Sequence, residues 1–334
     1  MTAAVFSKLL ALFLTVGLGW LAGRMNWLGA GVKPADATRV LSNLALYVCV
    51  PALLLRTTAR IDLYTLPWRT VAAYFVPVLV VVLGVYAWRR WRTTSPTQLA
   101  EVQPAAPATH AMAAGFGNSV QLGIPMAAAL FGEAGLAIHL ALISLHALVL
   151  LLLLTTLAEL DLARAAPGVS GAKSRVLPML RTMARNTVIH PVVMPIVVGL
   201  AWNLAGAPVP PVIDETLQSL AAAVVPVCLL LIGLSLAQYG LKGRLRGALA
   251  ATALKLLLLP AAVLLVARWG FGLTGLPLAV AVMMASLPTG TNALIFADRY
   301  RTLQAEATAT IVLSTAAFVV TAAGWLALLA WLAR

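Results

Sequence analysis

The chain is built from long apolar runs separated by short basic connections, and that alternation limits it to very few folds. Ten runs can be drawn, at 5–23, 37–56, 68–88, 106–130, 135–158, 187–205, 214–238, 247–267, 276–297 and 307–331. A helix needs about 20 apolar residues to cross the hydrocarbon core of a bilayer. Nothing in that solvent satisfies a free backbone group, so a spanning chain must be a helix bundle or a closed barrel. Barrel strands alternate in character over segments of about ten residues, whereas these runs are continuous. The expected fold class is an all-α integral membrane protein with ten transmembrane helices.

Composition closes off the soluble alternatives. Hydrophobic residues make up 62% of the 334 and charged residues only 10%, against about 25% charged in soluble domains. No globular surface could be covered with so few polar groups. The bilayer is therefore the first expected partner. A net charge of +13 would suit a nucleic-acid binder, but the basic residues lie between the apolar runs rather than on one face, so no nucleic acid is expected. Cys49 and Cys228 sit inside apolar runs without ligand spacing and read as small buried hydrophobes, so no metal is expected. The run from Val5 to Gly23 is too long for a signal-peptide core and lacks a small-x-small site, so it reads as the first span.

Sidedness follows from counting Lys and Arg in alternate connections. One side holds sixteen: Arg24, Lys33, Arg39, Arg89, Arg90, Arg92, Arg164, Lys173, Arg175, Arg181, Arg185, Lys242, Arg244, Arg246, Arg299 and Arg301. The other holds six: Lys8, Arg56, Arg60, Arg69, Arg268 and Arg334. The positive-inside rule makes the sixteen-residue side cytoplasmic. The expectation is a multi-pass cell-membrane protein with both termini extracytoplasmic.

The longest connection divides the spans five and five. The expected organisation is a first five-helix repeat at 1–160, a cytoplasmic linker at 161–185 and a second five-helix repeat at 186–334. An odd number of spans per half inverts the second half relative to the first, as in inverted-repeat transporters. Cys49-Val50-Pro51 and Pro226-Val227-Cys228 place prolines 175 residues apart, and Gly117 and Pro288 lie 171 apart.

Spans four and nine are interrupted. The fourth reads Gly115-Phe116-Gly117-Asn118-Ser119-Val120-Gln121-Leu122-Gly123-Ile124-Pro125, the ninth Ser286-Leu287-Pro288-Thr289-Gly290-Thr291-Asn292-Ala293. A break at mid-membrane depth frees backbone groups that must face protein or a watery cavity. The half-helix restarting there points its positive dipole end at the cavity, which favours an anionic ligand. Asn118, Ser119, Gln121, Thr289, Thr291 and Asn292 add neutral donors and acceptors, with Gly117, Pro125 and Pro288 as the helix-breaking positions. Paired interruptions in two halves are the strongest sequence pointer to a transporter's binding site.

These residues resemble the auxin efflux carrier family, whose plant members export auxin. Gly117-Asn118-Ser119 followed by Gly123-Ile124-Pro125 and Leu130-Phe131-Gly132 is similar to the family's first crossing segment. Leu287 to Ala293 with Ala297 and Tyr300 is similar to its second. Pro51, Lys255 before Pro260, and Ser314-Thr315 extend the likeness along the chain. Two departures are visible: His190-Pro191 stands where the family often has Asn-Pro, and Gly117 where plant relatives have proline. The resemblance implies crossing fourth and ninth helices. It also implies a scaffold of spans one, two, six and seven against a mobile block, working like an elevator. Carried over by position, Asn118 would contact substrate, and His146 falls near a polar position of plant relatives.

Lys255 is the one basic residue deep inside a span. Burying it costs roughly 2.5–3.5 kcal/mol on insertion scales, so it needs a partner. Backbone carbonyls at a helix break and the charge of the substrate are the candidates; snorkelling is the bland alternative. His139 and His146, seven apart, share a helical face but lack the spacing and carboxylate of a metal site. His146 is also a candidate protonatable group of the binding site. The chain carries no Walker A loop, no HExxH and no catalytic constellation. Secondary transport of a small organic anion, without nucleotide or other cofactor, is the favoured function, and a homodimer is left open. The rivals are a membrane enzyme acting on lipid or isoprenoid, and a sodium-coupled carrier of the bile-acid type. The ten scattered acids argue against the first, and the crossings' lack of a carboxylate against the second.

Overall fold

The structure, a computed structural model, describes residues 3–27, 34–60, 68–92, 103–165, 193–238 and 245–333. Most of the expected linker, and His190-Pro191, lie outside the described residues. Every regular element among those described is helical. In chain order they are α1 (Ala3–Arg24), α2 (Pro34–Leu44), α3 (Val50–Ala59), α4 (Trp68–Arg92), α5 (Ala106–Gly115) and α6 (Ile124–Ala165). After the linker come α7 (Val193–Leu204), α8 (Pro211–Ala222), α9 (Val224–Gln238), α10 (Leu245–Ala253) and α11 (Leu259–Leu265). The last three are α12 (Gly275–Ser286), α13 (Asn292–Arg299) and α14 (Gln304–Leu332).

Among the described residues, six helical stretches are long and apolar enough to cross a membrane: Asp36–Ala59, Trp68–Arg92, Ser119–Ala165, Pro211–Ala237, Leu245–Gly270 and Gln304–Leu332. Leu10–Arg24, Met194–Leu204 and Gly275–Ser286 are shorter apolar helices. Ser119–Ala165 has 47 residues, which at 1.5 Å each is about 70 Å, more than twice the hydrocarbon thickness. The excess is taken up at Gly132, whose φ of 66° and ψ of −162° break the helix inside α6. That region of backbone space is open to glycine almost alone. It falls between the fourth and fifth apolar runs, where the chain must turn back.

The surface is what lipid requires. Val80, Leu204, Val212 and Val320 are each 65% or more exposed. Tryptophans mark helix ends: Trp27, Trp68, Trp91, Trp269 and Trp331 are all exposed there, at the depth where an amphipathic ring prefers the headgroups. Inside, the closest helix contacts run through small residues, as expected when lipid supplies no hydrophobic drive for association. A Cβ on Gly19 of α1 would run into the Leu230 carbonyl of α9, and one on Gly233 into the Val16 carbonyl.

Besides a π-helical turn at Val266–Gly270 that ends one stretch, three turns of π-helix interrupt the spans, at Ala45–Cys49, Ser119–Gly123 and Leu254–Leu258. Each of these three ends two residues before a proline: Pro51, Pro125 and Pro260. Proline lacks the N–H that its i−4 carbonyl needs, and its ring crowds that carbonyl, so the preceding turn widens. The carbonyls so released are those of Tyr47, Gln121 and Leu256. That of Leu256 accepts a hydrogen bond from the Trp325 indole N–H at 2.8 Å.

Candidate functional site

The two interrupted spans cross at their breaks. α5 ends at Gly115 and α12 at Ser286, and the extended residues that follow lie antiparallel, with Gly117 opposite Thr289. Two backbone hydrogen bonds close the bridge: Asn118 N–H donates to Pro288 O at 2.7 Å and Gly290 N–H to Phe116 O at 2.9 Å. Backbone polar groups that lipid would leave bare thus satisfy each other. The approach is so close that a Cβ on Gly290 would stand 2.9 Å from Gly117 O. Both chains then resume as helices, one through the π turn at Ser119 into α6, the other at Asn292 into α13. Two helix C-termini and two helix N-termini therefore meet at one point.

Thr289 fixes the crossing in place. Its hydroxyl donates to Ala113 O in the last turn of α5 at 2.8 Å, and its N–H donates to Ser314 Oγ of α14 at 3.0 Å. It is fully buried. Ser119 is also buried, and its carbonyl accepts from His139 Nε2–H at 3.0 Å. Asn118, Gln121, Thr291 and Asn292 are half-buried. The Asn118 amide donates to Gln121 Oε1 at 3.4 Å. Pro125 and Pro288 are buried, Pro125 just inside α6 and Pro288 on the crossing strand.

Lys255 lies beneath this point. It is 1% exposed, and its ammonium donates to Ala285 O, in the last turn of α12, at 2.5 Å. The same nitrogen would stand 3.4 Å from a Cβ on Gly117. Its partner is thus a backbone carbonyl at a helix end, one of the two the sequence offered, and it does not snorkel. His146 is buried against Phe116, with ring centroids 4.9 Å apart, and shares a 3.1 Å hydrogen bond with Tyr74 OH through Nδ1. Its Nε2 is buried and has no hydrogen-bond partner among the described residues. The two histidines serve different neighbours, and no cluster of three potential metal ligands occurs among the described residues.

Sequence reasoning picked out the crossing segments but gave no role to Tyr74 or Phe116, nor to the link from Ser314 to Thr289. Tyr74 sits in α4, 72 positions from His146. A polar residue inside an otherwise apolar run was its only signal.

A family model described as membrane transport protein matches residues 4–326. A protein of Rhizobium meliloti (strain 1021) named "Putative malonate transporter" is 25% identical over 335 residues, covering 98% of this chain and 96% of that protein. The matched residues include both arms of the crossing. The chain belongs to the membrane transport protein family, that of the auxin efflux carriers, and is a membrane transporter rather than an enzyme.

Proposed function

We propose that the protein carries a small organic anion, a carboxylate of the malonate class, across the membrane by elevator-like alternating access. The observation that carries this reading is the crossing itself. The restarting helices at Ser119 and Asn292 bring two positive dipole ends to one place. The half-buried amides of Asn118, Gln121 and Asn292 and the hydroxyl of Thr291 stand beside them. In the proposal these groups bind the carboxylate, with the buried Ser119 held in register by His139. His146, with Nε2 unpaired, is the protonatable group at the rear. Neutral donors suit a carrier, which must release its ligand on both sides.

Ten crossings in two inverted repeats are part of the proposal. In support of that count, the described residues hold six long apolar stretches, one of them broken at Gly132, and three shorter apolar helices. The packing supports the inversion. α1 packs on α9 and α3 on α7, so the first span meets the seventh as the second meets the sixth. The contacts of α1 and α2 with α9, and of α3 with α7 and α8, support a scaffold of spans one, two, six and seven. The turn at Ser119–Gly123 packs against α9, which supports a binding site at the boundary between that scaffold and a moving block. The malonate name of the Rhizobium relative favours a dicarboxylate.

Thermal-shift titration of the purified protein against malonate, other short dicarboxylates, indole acids and sodium chloride tests the assignment. Saturable stabilisation by a carboxylate is expected. Stabilisation by a cationic or neutral solute alone would overturn it.

A further inference from the structure

Apart from the crossing, the helices leave a cavity of about 660 Å³ where the break at Gly132, the start of α12 and the end of α14 come together. Phe131, Leu276, Leu278, Leu326 and Leu329 wall it, and Arg268 is the one charged side chain in its lining. A space of that size is in the range of ligand sites, and one so apolar does not hold water. Its mouth lies at headgroup depth: Trp269, next to Arg268, and Trp331, among the lining residues of α14, are both exposed at helix ends. From Leu332 the lining follows α14 inward to Leu326, six residues or about 9 Å into the hydrocarbon. Arg268, in the π-helical turn Val266–Gly270, is half-buried, with its guanidinium 5.7 Å from the Trp269 ring. Of the six basic residues on the sparser side, Arg56 and Arg60 share Asp214. Arg268 and Arg69 form no ion pair among the described residues, and Arg69 donates to Phe271 O, in the turn that leads from Arg268 to Thr274. Glu133, beside the break, is exposed and does not line the cavity.

We propose that this cavity is a binding site for an anionic phospholipid, with the phosphate on the Arg268 guanidinium and an acyl chain along α14 between Phe131 and the leucines. A guanidinium presents a fork of donors that matches phosphate oxygens. The chain supplies the dispersion contacts that an empty apolar cavity forfeits. A net negative headgroup answers two arginines without acidic partners, and a basic pocket between spans is a recurring form of lipid site. An arginine that merely snorkels needs no cavity beneath it. All the lining residues belong to spans four, five, eight, nine and ten, so the lipid would travel with the block that is proposed to move. None belongs to the crossing, and the assignment does not depend on which anion is carried.

Lipid titration of the delipidated protein in detergent tests it, read by thermal unfolding and by the lipid retained in native mass spectra. Phosphatidylglycerol is expected to stabilise wild type saturably and to remain as a tightly held copy. Phosphatidylcholine, diacylglycerol (chains without phosphate) and inorganic phosphate (phosphate without chains) are expected to do neither. Arg268→Gln is expected to weaken the apparent affinity for phosphatidylglycerol about ten- to a hundredfold, the loss of a charge-assisted contact. Arg268→Lys is expected to keep most of it. Ala330→Leu, which fills the cavity and leaves Arg268 in place, is expected to remove the tightly held copy. Arg246→Gln, exposed on the basic-rich side, is expected to change nothing, which separates this site from the general attraction of basic residues to anionic lipid. If Arg268→Gln is not recovered folded, the comparison of wild type with Ala330→Leu decides. Equal stabilisation by phosphatidylcholine, stabilisation by inorganic phosphate alone, or wild-type affinity in either Arg268→Gln or Ala330→Leu would overturn the proposal.

Discussion

Two hydrogen bonds leave Thr289, one to α5 and one to α14, and neither group has water to fall back on. A threonine there does the work of a cap in a soluble helix, closing an otherwise open Ala113 carbonyl. Thr289→Val keeps the shape and removes the hydroxyl, so the carbonyl is stranded. The expected cost is about 1–2 kcal/mol of stability, measured by denaturant or thermal unfolding in detergent. An unchanged midpoint would mean that Ala113 O finds another donor. Gly290 is constrained differently, by the carbonyl that a Cβ would strike. Gly290→Ala is expected to push the two extended segments apart and abolish uptake in proteoliposomes while protein still reaches the membrane. Normal uptake by that variant would contradict the close crossing.

The widened turns before Pro51, Pro125 and Pro260 are the recurring device at the level of the helix. Around Pro260 the accounting can be followed to the end, because Trp325 takes up the carbonyl the proline releases. Trp325→Phe is expected to cost about 1–2 kcal/mol. Pro260→Ala returns a backbone N–H to Leu256, so the double variant should lose less than Trp325→Phe alone. A double-mutant cycle read by unfolding midpoints measures that difference, and strict additivity would contradict the pairing. These devices also mark the limit of what the amino-acid order reveals. The spans, the breaks at Gly117 and Pro288, and the buried charge at Lys255 were legible because each departs from an apolar background. The direction each side chain faces was not. α4, α6 and α14 are apolar on nearly every side, since lipid replaces water around them, and a helix without a polar stripe gives no reading of its rotation. For that reason Tyr74 could not be paired with His146, nor His139 with Ser119, before the fold was in hand.

Taken as one body, the molecule sorts its polar links into two sets. Arg56 and Arg60 pair with Asp214, Asn203 bonds Ala59 O, and Arg69 bonds Phe271 O, all among connections on the side poor in basic residues. Arg90 with Asp161, and Tyr300 with Glu159, join connections on the basic-rich side. The two sets fall on opposite sides of the spans, in keeping with the alternation of the charge count. We propose the basic-rich side as cytoplasmic. Cys49 and Cys228 are buried, so single cysteines introduced elsewhere can be read cleanly. An impermeant maleimide applied to intact cells is expected to label Ala207→Cys and spare Ser170→Cys, and the reverse pattern would invert the topology.

The central claim is that the two restarting helices hold the anion between them. Calorimetric titration of malonate into wild type, Asn118→Ala and Asn292→Ala tests it most directly. Each amide lost should weaken binding by about 1.5–3 kcal/mol, or one to two decades in affinity, with little change in unfolding midpoint. Wild-type affinity in both variants would contradict it.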